Sequence, residues 1–105
     1  TRMASRSSHS ISEASTSSPA YTVTDDETGV FTCFVRGNLS GKASVFLEVT
    51  PDDGDTNYLP VDGGELSKAG QFEVSLAGGT RCRFVGNNIA AENGDIEVEM
   101  KSFGA

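Results

Sequence analysis

QFEVSLAGGTRCRFV, residues 71–85, holds two short runs in which apolar and polar residues alternate, joined across a Gly-Gly pair. In the first, Phe72, Val74 and Leu76 alternate with Gln71, Glu73 and Ser75; in the second, Cys82 and Phe84 alternate with Arg81 and Arg83. A period of two sends successive side chains to opposite faces of a β-strand, one dry and one wet. Gly78-Gly79 supplies the conformational freedom of a turn between them. The segment therefore predicts strand, turn, strand.

The same grammar extends outward in both directions. Upstream, ASVFLEVT (43–50) points Ala43, Val45, Leu47 and Val49 one way and Ser44 and Glu48 the other, before the turn Pro51-Asp52-Asp53-Gly54-Asp55. Asn57–Val61 follows as a short strand that Pro60 restricts to an edge or an end. VFTCFVR (30–36) is apolar on both faces and stops at Gly37-Asn38, and Tyr21–Thr24 is a first short strand before an acidic turn at Asp25-Asp26-Glu27. Downstream, Asp95–Phe103 sets Ile96, Val98 and Met100 inward and Glu97, Glu99 and Lys101 outward. Helix is confined to a turn or two near Gly64–Ala69 or Ile89–Glu92. About seven short strands with frequent turns predict an all-β chain, a small antiparallel β-sandwich of immunoglobulin-like or jelly-roll-like kind.

Residues 1–20 read differently. Eight serines and little that is large and apolar beyond Met3 and Ile11 predict an extended arm, because such a segment buries too little surface to offset its chain entropy. To be ordered, the arm must lie against its own body, a sister subunit or a larger assembly. The expected organisation is an arm over 1–20 and a sandwich domain over 21–105. A body of about 85 residues buries only ~60–65% of its unfolded surface and gains from a partner that binds the folded form.

The formal charge of −7 is uneven: the arm carries Arg2, Arg6 and Glu13, and the remainder holds 6 basic and 14 acidic residues. An acidic body argues against nucleic acid and against anionic membranes as partners, since phosphate binding needs clustered Lys and Arg. No run approaches the length of a membrane span, no apolar core of a secretory signal is visible, and Thr1 fits removal of an initiator Met.

Candidate chemistry is sparse. The one histidine, His9, sits in the arm, where a catalytic group could not be held rigidly; its plain reading is a solvated arm residue. Neither an enzymatic role nor a cofactor is expected. Cys33 and Cys82 each lie among apolar neighbours two positions away, which sets both toward the core. They are read as reduced thiols acting as small hydrophobes, with a disulfide between sheets as the alternative. Two cysteines without a histidine in the body fall short of a zinc set. The turn Asp52–Asn57 offers oxygens for calcium but lacks the spacing and distal Glu of an EF-hand, and its residues are those any hairpin turn favours. Arg81 and Arg83 share a strand face and match the period of Glu97 and Glu99 with opposite sign, which predicts a cross-strand ladder or part of a subunit contact rather than a ligand site.

From Gly37 to Val85 the order is a GNLSGKASVFLEVTPDDG stretch (37–54), the edge Tyr58-Leu59-Pro60-Val61, then Leu66-Ser67-Lys68-Ala69-Gly70, then LAGGTRCRF (76–84). This resembles small β-sandwich virion proteins of tailed bacteriophages, among them capsid decoration (cement) proteins and some tail or neck components. It departs from their pattern in lacking a Trp after the Pro-Asp-Gly turn, where Tyr58 stands near. The resemblance implies a structural protein on the outer capsid surface, assembled in the bacterial host cytoplasm. It would be a dimer or trimer that staples subunits of the major capsid protein, reaching its neighbours with an arm. The residues singled out for partner binding are the arm's charged and apolar anchors Arg2, Met3, Arg6 and Ile11, with Tyr21 and Phe103 as interface aromatics. Deleting residues 1–20 is then expected to weaken binding and leave the sandwich folded. A tail or neck component is the alternative within the virion. A carbohydrate- or surface-binding module is the alternative outside it, poorly supplied with aromatics by Tyr21 and Tyr58 and no Trp.

Overall fold

A computed structural model describes residues 3–51 and 54–103. Eight strands are present: β1 (Ala4–Ile11), β2 (Tyr21–Thr22), β3 (Gly29–Arg36), β4 (Ser44–Thr50), β5 (Leu59–Leu66), β6 (Gly70–Leu76), β7 (Arg81–Asn87) and β8 (Ile96–Ser102). They form two four-stranded antiparallel sheets, ordered β1-β8-β3-β6 and β2-β7-β4-β5. The first strand pairs with the last, the second with the seventh, the third with the sixth and the fourth with the fifth. This nesting, a long hairpin rolled over on itself, is a jelly roll. Of the two sandwich types the sequence admits, the topology selects that one.

The alternation read from the sequence fixes which faces meet. Phe31, Cys33 and Val35 from β3 and Ile96, Val98 and Met100 from β8 face Val45 and Leu47 from β4 and Cys82 and Phe84 from β7, all essentially inaccessible to water. Phe72 and Val74 on β6 are only partly buried, as inward residues of an edge strand are covered from fewer sides. Among the described residues helix is limited to single 3-10 turns at Asp25–Glu27 and Ala91–Asn93. The second turn buries Asn93, whose amide donates to the Asn38 and Ser40 carbonyls at 2.8 and 3.1 Å and so clamps two loops together. Among the described residues no helix is long and apolar enough to cross a membrane.

The stretch expected to form an arm is the main departure. Residues 4–11 are β1, registered on β8 from Ala4 opposite Ser102 to Ile11 opposite Ile96, with an irregularity between Ser5 and Ser7. Serine is a poor advertisement for a strand, but β8 supplies a hydrogen-bonding edge, and tertiary context overrides a weak intrinsic preference. Ile11 is 0% exposed and belongs to the core. Room for it comes from Gly86, where an added Cβ would stand 2.9 Å from Ile11 Cγ2 and 2.6 Å from Ile89 Cγ1. Beyond β1 the chain crosses to the other sheet and runs beside β7. There Ser18 N–H donates to the Phe84 carbonyl and Phe84 N–H to Ser18 Oγ, each at 2.9 Å. The sandwich thus begins at residue 4 and not at residue 21, and deleting residues 1–20 removes part of the fold.

The predicted ladder between Arg81/Arg83 and Glu97/Glu99 does not form. Strand β7 lies between β2 and β4, whereas β8 belongs to the opposite sheet, so the matching faces point away from one another. Arg81 binds Asp55 and Arg83 binds Glu48, while Glu99 pairs with Arg36.

Candidate interaction site

Of the residues singled out for partner binding, Arg6 and Tyr21 come together, but inside the protein. Glu27, 7% exposed on the first 3-10 turn, accepts from the Tyr21 hydroxyl at 2.6 and 2.7 Å through its two oxygens and from Thr24 N–H at 2.9 Å. Arg6 Nε lies 3.2 Å from Glu27 Oε2 and donates to Ser102 Oγ at 2.9 Å. Burial alone would raise the Glu27 carboxyl, but the donors at Thr24 and Tyr21, with the Arg6 charge, outweigh it and hold the group below its ordinary value. The Tyr21 phenol is pushed up by burial and by the carboxylate it donates to. This knot ties β1, β2 and the 3-10 turn together. Arg6 and Tyr21 are therefore internal struts, and Ile11 is a core residue; none of the three is a free anchor. Arg2 lies outside the described residues.

Of the other two, Phe103 is exposed and Met3 is half-buried. Phe31 is opposite Ser102 in the β3–β8 pair and Ala4 is opposite Ser102 in the β1–β8 pair. Continuing both registers by one residue sets Met3, Phe103 and Val30 side by side. Because Phe31 and Ser102 point into the core, Phe103 and Val30 point out, and they are 55% and 49% exposed. The same outer face carries Phe34, with Arg36 and Lys101 over its ring at 5.6 and 5.9 Å. The sequence pattern does not mark Val30 as an outward residue, because it opens the run VFTCFVR, which is apolar on both faces.

The outer face of the other sheet is organised by two arginines and a loop. Arg81 Nη2 pairs with Asp55 Oδ1 at 2.8 Å, and the Tyr58 hydroxyl donates to the same oxygen at 2.9 Å. Arg83 pairs with Glu48 and lies 4.0 Å from the centre of the Tyr58 ring. Asp55, expected among the oxygens of an acidic turn, is thus held below its ordinary value first by the Arg81 hydrogen bond and then by Tyr58; Asp52 and Asp53 of that turn lie outside the described residues.

Beside this network is an open hollow of about 590 Å³ lined by Phe46, Pro60, Val61, Asp62, Gly63 and Glu65. It exists because β4 and β5 fall out of step. Phe46 is opposite Glu65 and Glu48 is opposite Pro60, so residues 61–64 face the single residue Leu47. The excess chain bulges, with Gly63 at φ +75°, a conformation that L side chains rarely adopt. Asp62-Gly63-Gly64 has the composition of a turn, yet strand pairing resumes beyond it through Leu66.

Cys33 and Cys82 are both buried, unbonded thiols. Burial pushes each up to about 12, with Cys82 adding to the shift at Cys33 and Glu27 to that at Cys82. Cys82 Sγ lies 3.6 Å from Met100 Sδ, so this thiol packs as a small hydrophobe. His9 is opposite Val98 within the β1–β8 pair. Among the described residues no group of three or more His, Cys, Asp or Glu is placed to hold a metal ion.

No protein-family model and no curated protein matches the sequence. Among solved structures, the chain is similar to the Yersinia pseudotuberculosis-derived mitogen at 11% identity and a TM-score of 0.48, over 99% of this chain and 86% of that one. It is also similar to a pentameric capsid protein isolated from metagenomic phage sequences, at 16% identity and a TM-score of 0.38, over 92% of this chain and 59% of that one. A second structure of a pentameric capsid protein from metagenomic phage sequences, solved by iodide phasing, gives 16% identity and 0.37, over 92% and 63%. The chain spans about three-fifths of the length of these capsid chains.

Proposed function

We propose that this chain is a non-enzymatic structural virion protein of a tailed bacteriophage, one that decorates the shell and staples neighbouring subunits of the major capsid protein. The strand-and-turn order from Gly37 to Val85 supports the virion class through its resemblance to such proteins. The observation that carries the attachment is the row of Met3, Phe103 and Val30 on the outer face of the β1-β8-β3-β6 sheet. Two large apolar side chains, each about half exposed, stand together on a face that otherwise carries Ser, Thr, Gln, Glu, Lys and Arg with the half-buried Phe34. Clustered apolar exposure of this kind marks interaction surfaces. Completing the burial of Phe103 and Val30 is worth roughly 1 kcal/mol each. That is modest for one contact, and a dimer or trimer engaging several identical shell sites at once would add to it by avidity. The surface replaces the arm as the attachment element, because the arm is spent on β1.

The test is the protein composition of purified virions from the phage that encodes the chain. Decoration predicts a copy number in simple proportion to the major capsid protein. A few copies per particle would move it to the tail or neck, and absence from the particle would end the virion reading. Phe103→Glu together with Val30→Glu should release the protein from the shell while its circular dichroism stays that of the parent.

A further inference from the structure

We propose that the hollow between Phe46 and the residue 61–64 bulge is a binding site for an alkyl-stemmed cation, a lysine or arginine side chain presented by a protein partner. Its chemistry is mixed in a particular way. Phe46, half-buried on the outer face of β4, gives an aromatic wall, and Pro60 and Val61 extend the apolar surface around it. Asp62 and Glu65, both exposed, stand at its rim. Glu65 is oriented by Ser44, whose hydroxyl donates to Oε2 at 2.9 Å.

Among the described residues, neither rim carboxylate forms an ion pair. The ion pairs among the described residues are Arg6–Glu27, Arg36–Glu99, Arg81–Asp55 and Arg83–Glu48. The neighbouring acids on this face are thus neutralised and these two are not. A lysine or arginine fits such a place part by part: the methylene stem covers Pro60 and Val61, and the charged head meets two carboxylates beside the negative face of a ring. An anion is repelled, and a purely apolar side chain leaves the carboxylates unserved. The overall charge of −7 favours approach of a cationic partner from a distance. At about 590 Å³ the hollow exceeds one side chain, so it admits the flanking backbone of a loop as well.

The hollow opens on the sheet opposite the Met3–Phe103–Val30 row, and the inference stands apart from the virion reading. Its test uses short capped peptides titrated into the whole ¹⁵N-labelled chain: Gly-Lys-Gly, Gly-Arg-Gly, and Gly-norleucine-Gly as a stem without charge. The lysine and arginine peptides should shift the amides of Phe46 and residues 61–65 and saturate, and the norleucine peptide should shift them far less. Asp62→Asn and Glu65→Gln should each weaken binding roughly two- to fivefold, as expected for single exposed charge pairs, and added salt should weaken it further. Phe46→Leu should weaken lysine and arginine while the spectrum elsewhere stays native. Equal binding of norleucine, indifference to both carboxylate variants, or no saturable shift at these amides overturns the proposal. Any of those results leaves virion incorporation to be judged on its own.

Discussion

Replacing Ile11 by alanine asks whether β1 is a strand of the fold or an appendage. The side chain is 0% exposed, and it packs where Gly86 leaves no room for a Cβ. Truncation removes three buried carbons and leaves a cavity among Ile11, Gly86 and Ile89. Buried Ile-to-Ala changes cost about 2–5 kcal/mol, the larger values where the surroundings cannot collapse. Ile11 ends its strand, and the loop after it can relax inward, so the lower half applies, about 2–3.5 kcal/mol. For a domain of this size, ~1 kcal/mol moves the midpoint by about 4–8 °C, which predicts a fall of roughly 10–25 °C. Urea unfolding followed by circular dichroism gives the same quantity independently, with Ser8→Ala on the exposed face of β1 as a control expected within about 0.5 kcal/mol of the parent. If Ile11→Ala proves no more destabilising than Ser8→Ala, then β1 is not part of the cooperative unit and the argument built on its burial fails.

Other outcomes are as definite. Glu27→Gln should cost about 2–3 kcal/mol, because it strands a partly buried Arg6 and weakens the Tyr21 contact. Since Glu27 is held below its ordinary value of 4.5 in the folded state, its contribution is present above that pH and is lost as the pH falls through the lowered value. A stability profile from pH 7 downward should accordingly be shallower in the variant, and parallel curves would refute it. Native protein at pH 8 should resist an aromatic disulfide reagent at both Cys33 and Cys82, and both should react once it is denatured. The raised values of about 12 make stability decline as the pH climbs above the ordinary thiol value of 9.0. Two fast-reacting thiols in native protein would contradict their burial, and none in denaturant would reveal a disulfide.

Much of the sandwich was legible because its strands announce themselves locally. Phe72, Val74, Cys82, Phe84, Ile96, Val98 and Met100 all face inward as their alternation requires. Strand β1 was illegible for a physical reason. Seven of its eight residues stay out of the core cluster, and its stability comes from pairing with β8, from the Arg6 contacts with Glu27 and Ser102 and from one isoleucine at its end, none of which leaves a periodic pattern. The partner of a charged face was equally hidden. Arg81 and Glu97 have matching period, but which sheet a strand joins is decided by pairings remote in sequence. The candidate sites divide along the same line. Phe103 was visible as an exposed aromatic, whereas Val30 beside it and the hollow at Phe46 depend on registers that only the folded chain possesses.

The nested order of pairing also constrains how the molecule is made. Arg6 finds Ser102 across 96 residues of sequence, and among the described residues β1 pairs with β8 alone. As the chain leaves the ribosome, the serine-rich first strand must wait until Ile96–Ser102 has cleared the exit tunnel. The innermost pair, β4 with β5, can close long before then. The pairing order lets the centre of the sequence close first, and the growing chain carries Phe31 and Val35 uncovered until β6 and β8 have followed them. Expression at low temperature or with abundant holdase chaperones should therefore raise soluble yield more than any change to the finished surface.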